Sequence, residues 1–407
     1  MKILSVSGAP GAGTFTNDDQ AAILAGATRD GDFYRGTPIT HGYGEIRQPS
    51  ESLLILLGLE DGHTVLGAGV SVQYAGGSGR EPLLRAADAL SRWQDELRLA
   101  LEGHQAEDFR AGCARLSLLG LPKAVEYGVT QALLAAAAHA RRITMAEVVA
   151  AEWATGVEIR QVPILAQSGE DRYGAVDRMV LRRVDSLPHG LINSADLVGG
   201  SGEVLREYVA WVRNRIREHT GTGYAPVLHF DLYGTLNKVF STTAQCAEFL
   251  CTLEAVAAPY RLRIEQPVSA GSRDAQITAM AELRARLARS GSRVQLVADE
   301  WCNTLDDVHA FIGAGSADVV QIKMPDVGGI DAVVDSILAC RAAGIAAYCG
   351  GSCTETDLSA RVATQVAMGA AADVLLARPG MGVDEAVMVT RNEMTAVLAT
   401  IRNRSPR

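Results

Sequence analysis

Three acidic residues that each close a short apolar run are the first candidates for chemistry in this sequence. Asp231 ends PVLHFD, Glu265 ends LRIE and Asp299 ends VQLVAD, at intervals of 34 residues. If these runs are neighbouring strands of one parallel sheet, about 4.8 Å apart, the three carboxylates converge on one point. The spacing therefore predicts a cluster of three acids, although any one acid alone could also cap the helix after its strand.

Three clustered carboxylates require a counter-charge. Without one, they repel each other and raise each other's pKa. A hard divalent cation relieves this repulsion, and Mg2+ prefers oxygen ligands in octahedral geometry. The acid cluster therefore indicates a magnesium site.

Lys323 and His189 are the candidates for acid–base chemistry. Lys323 ends VVQIK, which we place two strands beyond the third acid. Burial and a nearby cation both disfavour a charged ammonium, so this lysine is expected to offer a neutral amine as a base. A structural salt bridge to one of the acids is the alternative. His189, in the segment HGLINS, is one of the polar residues placed at the strand ends, and it is expected to face the same centre from the other side, although a lone histidine at a strand end often has only a structural role.

Polar residues also close most of the other apolar runs. Gln167 ends VPILAQ, and the pair Ser352–Cys353 follows IAAYCGG. Only the last run, VLLARPG, ends in an apolar residue, Leu376. A core built only for stability has no need of polar groups at so many strand ends, so the pattern predicts an active site.

The strands and helices predicted around these residues indicate a closed barrel. From Gln161 onward, eight short apolar runs alternate with amphipathic helical segments, which indicates parallel strands joined by helices. Eight such units in a row favour a (β/α)8 barrel of the TIM type over the alternative, an open doubly wound sheet, and active sites of such barrels lie at the C-terminal ends of the strands. The chain before this region mixes strand-like and helical patterns. We therefore predict an α+β domain over residues 1–158 and a barrel domain over 159–407.

Composition excludes several classes of protein. The net charge of −9 disfavours nucleic-acid binding, because such proteins are normally basic. No apolar run approaches the roughly 18 residues that span a bilayer, and the N-terminus lacks a signal-peptide layout. Seven cysteines without a regular framework suggest reduced thiols, so we expect a cytoplasmic protein. Cys349 and Cys353 lack the second pair that a structural zinc site requires.

Taken together, the motifs resemble the methylaspartate ammonia-lyase family of the enolase superfamily over nearly the whole chain. The matching stretches are VQYAGGSGREP, AQSGEDRY, LPHGLIN, LHFDLYGT, RIEQP, VADEWCNT, VQIKMPDVGG, YCGGSCTET and RPGMGVDE. The resemblance implies an N-terminal domain that caps the barrel. It also implies reversible elimination of ammonia from L-threo-3-methylaspartate to give mesaconate, by a homodimer. The implied cofactor is Mg2+, with a monovalent cation such as K+ as a candidate second one.

The resemblance also implies a role for each candidate residue. The metal ligands would be Asp231, Glu265 and Asp299. Lys323 would be the base on one face of the substrate, and His189 the acid or base on the opposite face. The contacts to the substrate and its carboxylates would come from Gln73 of the cap, Gln167, Gln321, Ser352 and Cys353.

Two positions leave the substrate fit open. Ser352 stands where the family commonly has threonine, so the hydroxyl is kept and a methyl group is lost. Leu376 either packs in the barrel wall or contacts the 3-alkyl group of the substrate. Two rival functions also stay open: a dehydratase or racemase of the same superfamily, and a non-catalytic barrel that serves as a binding subunit.

Overall fold

An antiparallel sheet and four longer helices form the N-terminal part of the molecule. The computed structural model describes residues 1–221, 223–380 and 382–404. The strands are β1 (Ile3–Asp18), β2 (Thr28–Asp30), β3 (Phe33–Arg35), β4 (Arg47–Leu59) and β5 (Thr64–Val70). The helices are α1 (Gln20–Leu24), α2 (Ala86–Leu101), α3 (Phe109–Ser117), α4 (Lys123–Arg141) and α5 (Met145–Glu152). Strands β1, β4 and β5 pair in that order, and β2 pairs with β3 in a separate hairpin.

Helix α4 lies against β5 at very short range because both elements carry glycine at the crossing. An added Cβ at Gly128 of α4 would lie 2.6 Å from the amide nitrogen of Gly69. An added Cβ at Gly69 would overlap the carbonyl oxygen of Ala124. The Ala-rich sequence of α4 buries most of its faces, as its composition predicts.

We expect Gly69→Ala to destabilise the protein, because the methyl group would push α4 away from the sheet. Overpacking of this kind costs about 1–3 kcal/mol. The control is Gly313→Ala, at the end of a barrel helix, where an added Cβ meets no atom within 4 Å. Chemical denaturation measures both variants, and equal stability of the two would contradict the close crossing.

The rest of the chain forms a closed barrel of eight parallel strands. They are β6 (Ile164–Leu165), β7 (Ser186–His189), β8 (Val227–Asp231), β9 (Leu262–Glu265), β10 (Gln295–Ala298), β11 (Val319–Lys323), β12 (Ala346–Gly350) and β13 (Val374–Leu376). Each strand pairs with the next in the chain, and β13 pairs with β6 to close the ring. The closed ring confirms the predicted (β/α)8 barrel and excludes the open sheet.

Helices surround the barrel. They are α6 (Gly174–Leu181), α7 (Glu203–His219), α8 (Leu236–Val239), α9 (Thr243–Ala257), α10 (Arg273–Arg289), α11 (Leu305–Gly313), α12 (Met324–Val327), α13 (Ile330–Ala342), α14 (Asp357–Ala370) and α15 (Val383–Arg404). None of the helices in the described ranges is both long enough and apolar enough to cross a membrane. The predicted domain boundary at residues 158 and 159 falls between the end of α5 and the start of β6.

Apolar side chains from several strands fill the barrel interior below the strand ends. This cluster consists of Leu165, Val297, Val319, Tyr348, Val374 and Leu376. Because the interior is filled there, a ligand can reach only the ring of strand ends and the loops that follow them.

Candidate active site

The strand ends that carry the predicted residues surround one cavity beneath the N-terminal domain. Its lining includes Gln167, His189, Asp231, Asp299, Gln321, Lys323, Ser352, Cys353 and Leu376 from the barrel, and Val72, Gln73, Tyr74 and Arg80 from the N-terminal domain. The predicted site residues therefore converge, and Glu265 is fully buried beside Asp231 without lining the cavity itself.

Asp231 and Glu265 lie directly opposite each other on neighbouring strands. They are paired in the register of β8 and β9, and both side chains are buried. Burial raises the pKa of each carboxyl well above its ordinary value, and the neighbouring carboxylates raise it further. The repulsion predicted from the spacing is therefore present, and a cation between these oxygens would relieve it.

Asp299 follows β10 and is paired with Lys323. Its carboxylate oxygens lie 2.7 and 3.0 Å from the lysine Nζ. Strand β11 is the direct neighbour of β10, so Lys323 is one strand beyond Asp299 and the expected interval of two strands was wrong. Burial alone would raise the pKa of Asp299, but Lys323 and Arg80 outweigh it and lower the pKa.

Lys323 has a raised pKa, opposite to the expected direction. Burial and Arg80 lower its pKa, but the carboxylates of Asp299, Glu300 and Asp326 raise it, and the net shift is upward. The expectation assumed a cation beside the lysine. With the Asp299 carboxylate bound to a cation, the main group that stabilises the ammonium would be neutralised.

The chemistry of the donor set fits a hard divalent cation. In the described residues, one group of three offers ligand atoms within 4.8 Å of one another, and it consists of His189, Asp231 and Glu265. This group differs from the predicted set because Asp299 faces Lys323 here. Mg2+ prefers oxygen over imidazole nitrogen, so the three carboxylates remain the better ligand set for it.

His189 lies across the barrel from Lys323. Its strand β7 is separated from β11 by three strands on either side of the ring. It ends that strand, as predicted, and its backbone has a positive φ of 65°. Nε2 lies 3.4 Å from Oδ2 of Asp231. Burial lowers the pKa of His189 to about 4, so the imidazole is neutral near neutral pH.

Two side chains, one of them from the cavity lining, hold Glu265. Nε2 of the buried His229 lies 2.6 Å from one carboxylate oxygen, and the Gln321 amide donates a short hydrogen bond to the other. The sequence interpretation missed His229. It precedes Asp231 by two residues, and the two-residue period of a strand could have placed both side chains on the same face.

Arg80 from the N-terminal domain was also missed. It ends the glycine-rich loop 75–80 and is buried among acids of the barrel. Its guanidinium lies 2.5 Å from Glu300, 2.8 Å from Asp326 and 3.6 Å from Asp299. The loop therefore joins the N-terminal domain to the strand ends beside Lys323.

The opposite arc of the ring offers polar groups to a ligand. The backbone N–H of Gln73 donates to Ser352 Oγ at 3.0 Å, and its side-chain oxygen lies 3.4 Å from Cys353 Sγ. Gln167 donates to the carbonyl of Gly380 at 2.9 Å. Leu376 packs with the apolar side chains of the barrel interior and also lines the cavity.

Two family models together match almost the whole chain. Residues 1–154 match the model described as methylaspartate ammonia-lyase N-terminus, and residues 156–403 match that described as methylaspartate ammonia-lyase C-terminus. A methylaspartate ammonia-lyase from Clostridium tetanomorphum is 44% identical, over 99% of this chain and 100% of the relative.

Solved structures resemble the whole molecule. The Mg-complex of beta-methylaspartase from Clostridium tetanomorphum matches with a TM-score of 0.94 and 44% identity over 100% of both chains. The Citrobacter amalonaticus methylaspartate ammonia lyase containing (2S,3S)-3-methylaspartic acid matches with a TM-score of 0.96 and 41% identity, over 99% of this chain and 100% of that one. A muconate lactonizing enzyme from Pseudomonas fluorescens shares the fold, with a TM-score of 0.61 and 18% identity over 90% of this chain and 84% of that one.

Proposed function

The chain belongs to the methylaspartate ammonia-lyase family of carbon–nitrogen lyases, and from this premise we propose that it converts L-threo-3-methylaspartate reversibly into mesaconate and ammonia, with Mg2+ as cofactor. The observation that carries the proposal is the placement of Lys323 and His189 on opposite sides of a cavity, with the three carboxylates on the arc between them. Relatives crystallised with Mg and with 3-methylaspartic acid support the choice of metal and substrate.

The reaction begins with removal of a proton from C3, next to a carboxylate. Mg2+ held by Asp231, Glu265 and Asp299 would act as a Lewis acid for the negative charge that develops on that carboxylate. A lysine or histidine base beside Mg2+ is an established pattern of enolase-superfamily sites. The amine of Lys323 takes the proton, the C2–N bond then breaks, and ammonia leaves as the double bond of mesaconate forms.

The other cavity residues orient the substrate. We assign the second carboxylate of the substrate to the arc formed by Gln73, Ser352 and Cys353, because the side chains of these residues place an amide, a hydroxyl and a thiol at the cavity there. Gln167 and Gln321 would provide amide donors on the flanks of the cavity. Holding the substrate between these donors and the metal ligands keeps C3 within reach of Lys323, which is the main benefit of such positioning.

A coupled assay for ammonia tests the proposal directly. The purified protein is incubated with 3-methylaspartate with and without Mg2+, while the ultraviolet absorbance of an unsaturated product is followed. We expect both signals to rise together and only with the metal. Racemisation or loss of water from other acids, without ammonia release from 3-methylaspartate, would instead favour a different enzyme of the superfamily.

His189→Ala is expected to slow elimination from the other diastereomer of 3-methylaspartate more than from the L-threo form, because His189 approaches from the face opposite Lys323. Loss of a general acid or base lowers the rate by about 10²–10⁴-fold. Steady-state kinetics on both diastereomers measures the ratio. An equal effect on the two would exclude a face-specific role.

Leu376→Ala is expected to relax the preference among side groups at C3. A buried methyl group is worth about 0.8 kcal/mol, or a few-fold in kcat/KM, so the native enzyme should prefer 3-methylaspartate to aspartate. The variant should accept 3-ethylaspartate better. The measurement is kcat/KM for aspartate, 3-methylaspartate and 3-ethylaspartate with the native enzyme and with the variant. If the ratios among the three substrates are the same in both proteins, Leu376 is a core residue only.

Two parts of the proposal concern the assembly and the second cation. We propose a homodimer, which light scattering of the purified protein measures. Activation by K+ at constant ionic strength, with Na+ as the matched salt, tests the monovalent cation.

A further inference from the structure

A buried ion pair behind the Ser352–Cys353 loop has no part in the chemistry described above. It joins Arg378, two residues after β13, to Glu355, between β12 and α14, with 2.7 Å between Nη1 and Oε2. Both side chains are fully buried, and Arg378 is the largest of the fully buried side chains in the described chain. Neither residue lines the cavity.

Stability is a weak explanation for such a pair. Removing two charges from water costs several kcal/mol per ion, and apolar residues of similar volume are often equally stabilising. A buried pair can instead select one local conformation. The neighbours of the pair indicate which conformation it selects here.

The Glu355 carboxylate accepts hydrogen bonds that hold the Ser352–Cys353 loop. Oε2, besides accepting from Arg378, accepts from the backbone N–H of Ser352 at 2.9 Å. Oε1 accepts from the hydroxyl of Tyr127 at 2.7 Å, which ties the carboxylate to helix α4 of the cap. One side chain therefore connects the cap with the loop that carries Ser352 and Cys353.

Arg378 fixes the strand ends on the other side of the same carboxylate. Its Nη2 donates to the carbonyl of Cys349 at 3.1 Å, and its Nε donates to that of Leu376 at 3.3 Å. Gly351 passes so close that an added Cβ would overlap both the Glu355 carboxylate and the Arg378 guanidinium. The loop backbone is thus packed directly against the ion pair.

We infer that Glu355 and Arg378 are positioning residues that hold the Ser352–Cys353 loop in the geometry that receives a carboxylate group of the substrate. The inference rests on the proposed function, because it takes the loop as a carboxylate-binding element. In the described chain, the hydrogen bonds of the pair go to Tyr127, Ser352, Cys349 and Leu376 and not to the three acids of the metal site, so we expect its effect to fall on substrate binding. Pre-organised donors increase affinity because the loop need not be ordered when the substrate binds.

The main test is Glu355→Gln in the full-length enzyme with saturating Mg2+. The glutamine amide has the same shape but no charge, and its NH2 group replaces one of the two acceptor oxygens. The charge-assisted bonds from Arg378 and Ser352 are therefore weakened, and the loop is held less firmly. We expect KM for 3-methylaspartate to rise at least tenfold, while kcat falls less than threefold and the Mg2+ concentration for half-maximal activity stays within twofold. Glu355→Asp should recover part of the loss in KM.

Tyr127→Phe is the matched control. It removes a hydrogen bond from the other oxygen of the same carboxylate but leaves the bonds to Ser352 and Arg378 in place. We expect a lower melting temperature with KM within twofold of the native value. If Glu355→Gln does not fold, the double variant Glu355→Gln with Arg378→Met removes both charges together and is measured in its place.

The outcomes separate this inference from the proposed function. A native enzyme that releases no ammonia from 3-methylaspartate overturns the proposed function itself. A native enzyme that is active, with a folded Glu355 variant that loses thermal stability but keeps its KM, overturns only the positioning role. A raised KM accompanied by an equally weakened response to Mg2+ also contradicts it, because the effect would then reach the metal site.

Discussion

Excess chelator is expected to abolish ammonia release, and Asp231→Asn, Glu265→Gln and Asp299→Asn are each expected to lower kcat/KM about a thousandfold. The carboxylates are the oxygen donors of the predicted Mg2+ site. Lewis-acid stabilisation of a developing enolate is worth several kcal/mol, and about 4 kcal/mol corresponds to a factor of a thousand. Kinetics across a Mg2+ titration gives both the loss in rate and the weakened affinity.

Stability measurements show whether these variants fail for the expected reason. In the metal-free protein, burial and mutual repulsion raise the pKa values of Asp231 and Glu265, so their charged forms are unfavourable in the folded state. Metal-free Asp231→Asn should therefore be at least as stable as the metal-free native protein, while gaining less stability when Mg2+ is added. Glu282→Gln, on the exposed surface of α10, controls for the loss of one negative charge. Full activity in excess chelator would exclude the metal hypothesis.

Lys323→Ala is expected to remove both elimination and the exchange of the C3 proton with solvent. Exchange requires only that the proton be taken from C3, so its loss identifies the first step as the one that fails. Removing a general base costs about 10²–10⁴-fold, and more where no other group on that face can replace it. Proton exchange is followed by NMR in deuterated water, alongside ammonia release.

Lys323→Arg separates the base from the salt bridge. Arginine keeps a positive charge opposite Asp299, but its pKa above about 12 prevents it from acting as a base near neutral pH. If Lys323 serves only as the partner of Asp299, this variant retains most of the activity. We expect it to be as inactive as the alanine variant, and near-normal turnover by either protein would assign the base elsewhere.

The strand ends could be predicted from the sequence because they depend on local patterns. Alternation of apolar runs and helices indicates parallel strands, and a series of eight favours a closed ring. Once the ring is assumed, residues that follow each run must lie at one rim. This is why Asp231, Glu265 and Asp299 could be predicted as a cluster without knowledge of any contact.

Contacts between distant parts of the chain depended on tertiary packing. Arg80 meets Asp326 across 246 positions, and Tyr127 meets Glu355 across 228. No local period encodes such pairs, because they arise only when the cap is seated on the barrel. The glycines of β5 and α4 mark a close approach, but their sequence does not say which elements approach.

The charge states of the site also belong to the tertiary structure. The residue types predicted a lysine with a depressed pKa, whereas the fold pairs Lys323 with Asp299 and raises the pKa of the lysine. The sequence interpretation also placed Lys323 two strands beyond Asp299, whereas its strand β11 is the direct neighbour of β10. The residues that could take part in catalysis were thus predictable from the residue types and their spacing in the sequence. The groups that neutralise the charges of these residues depend on distances of a few ångströms, and those distances are set only when the strands, loops and cap pack together.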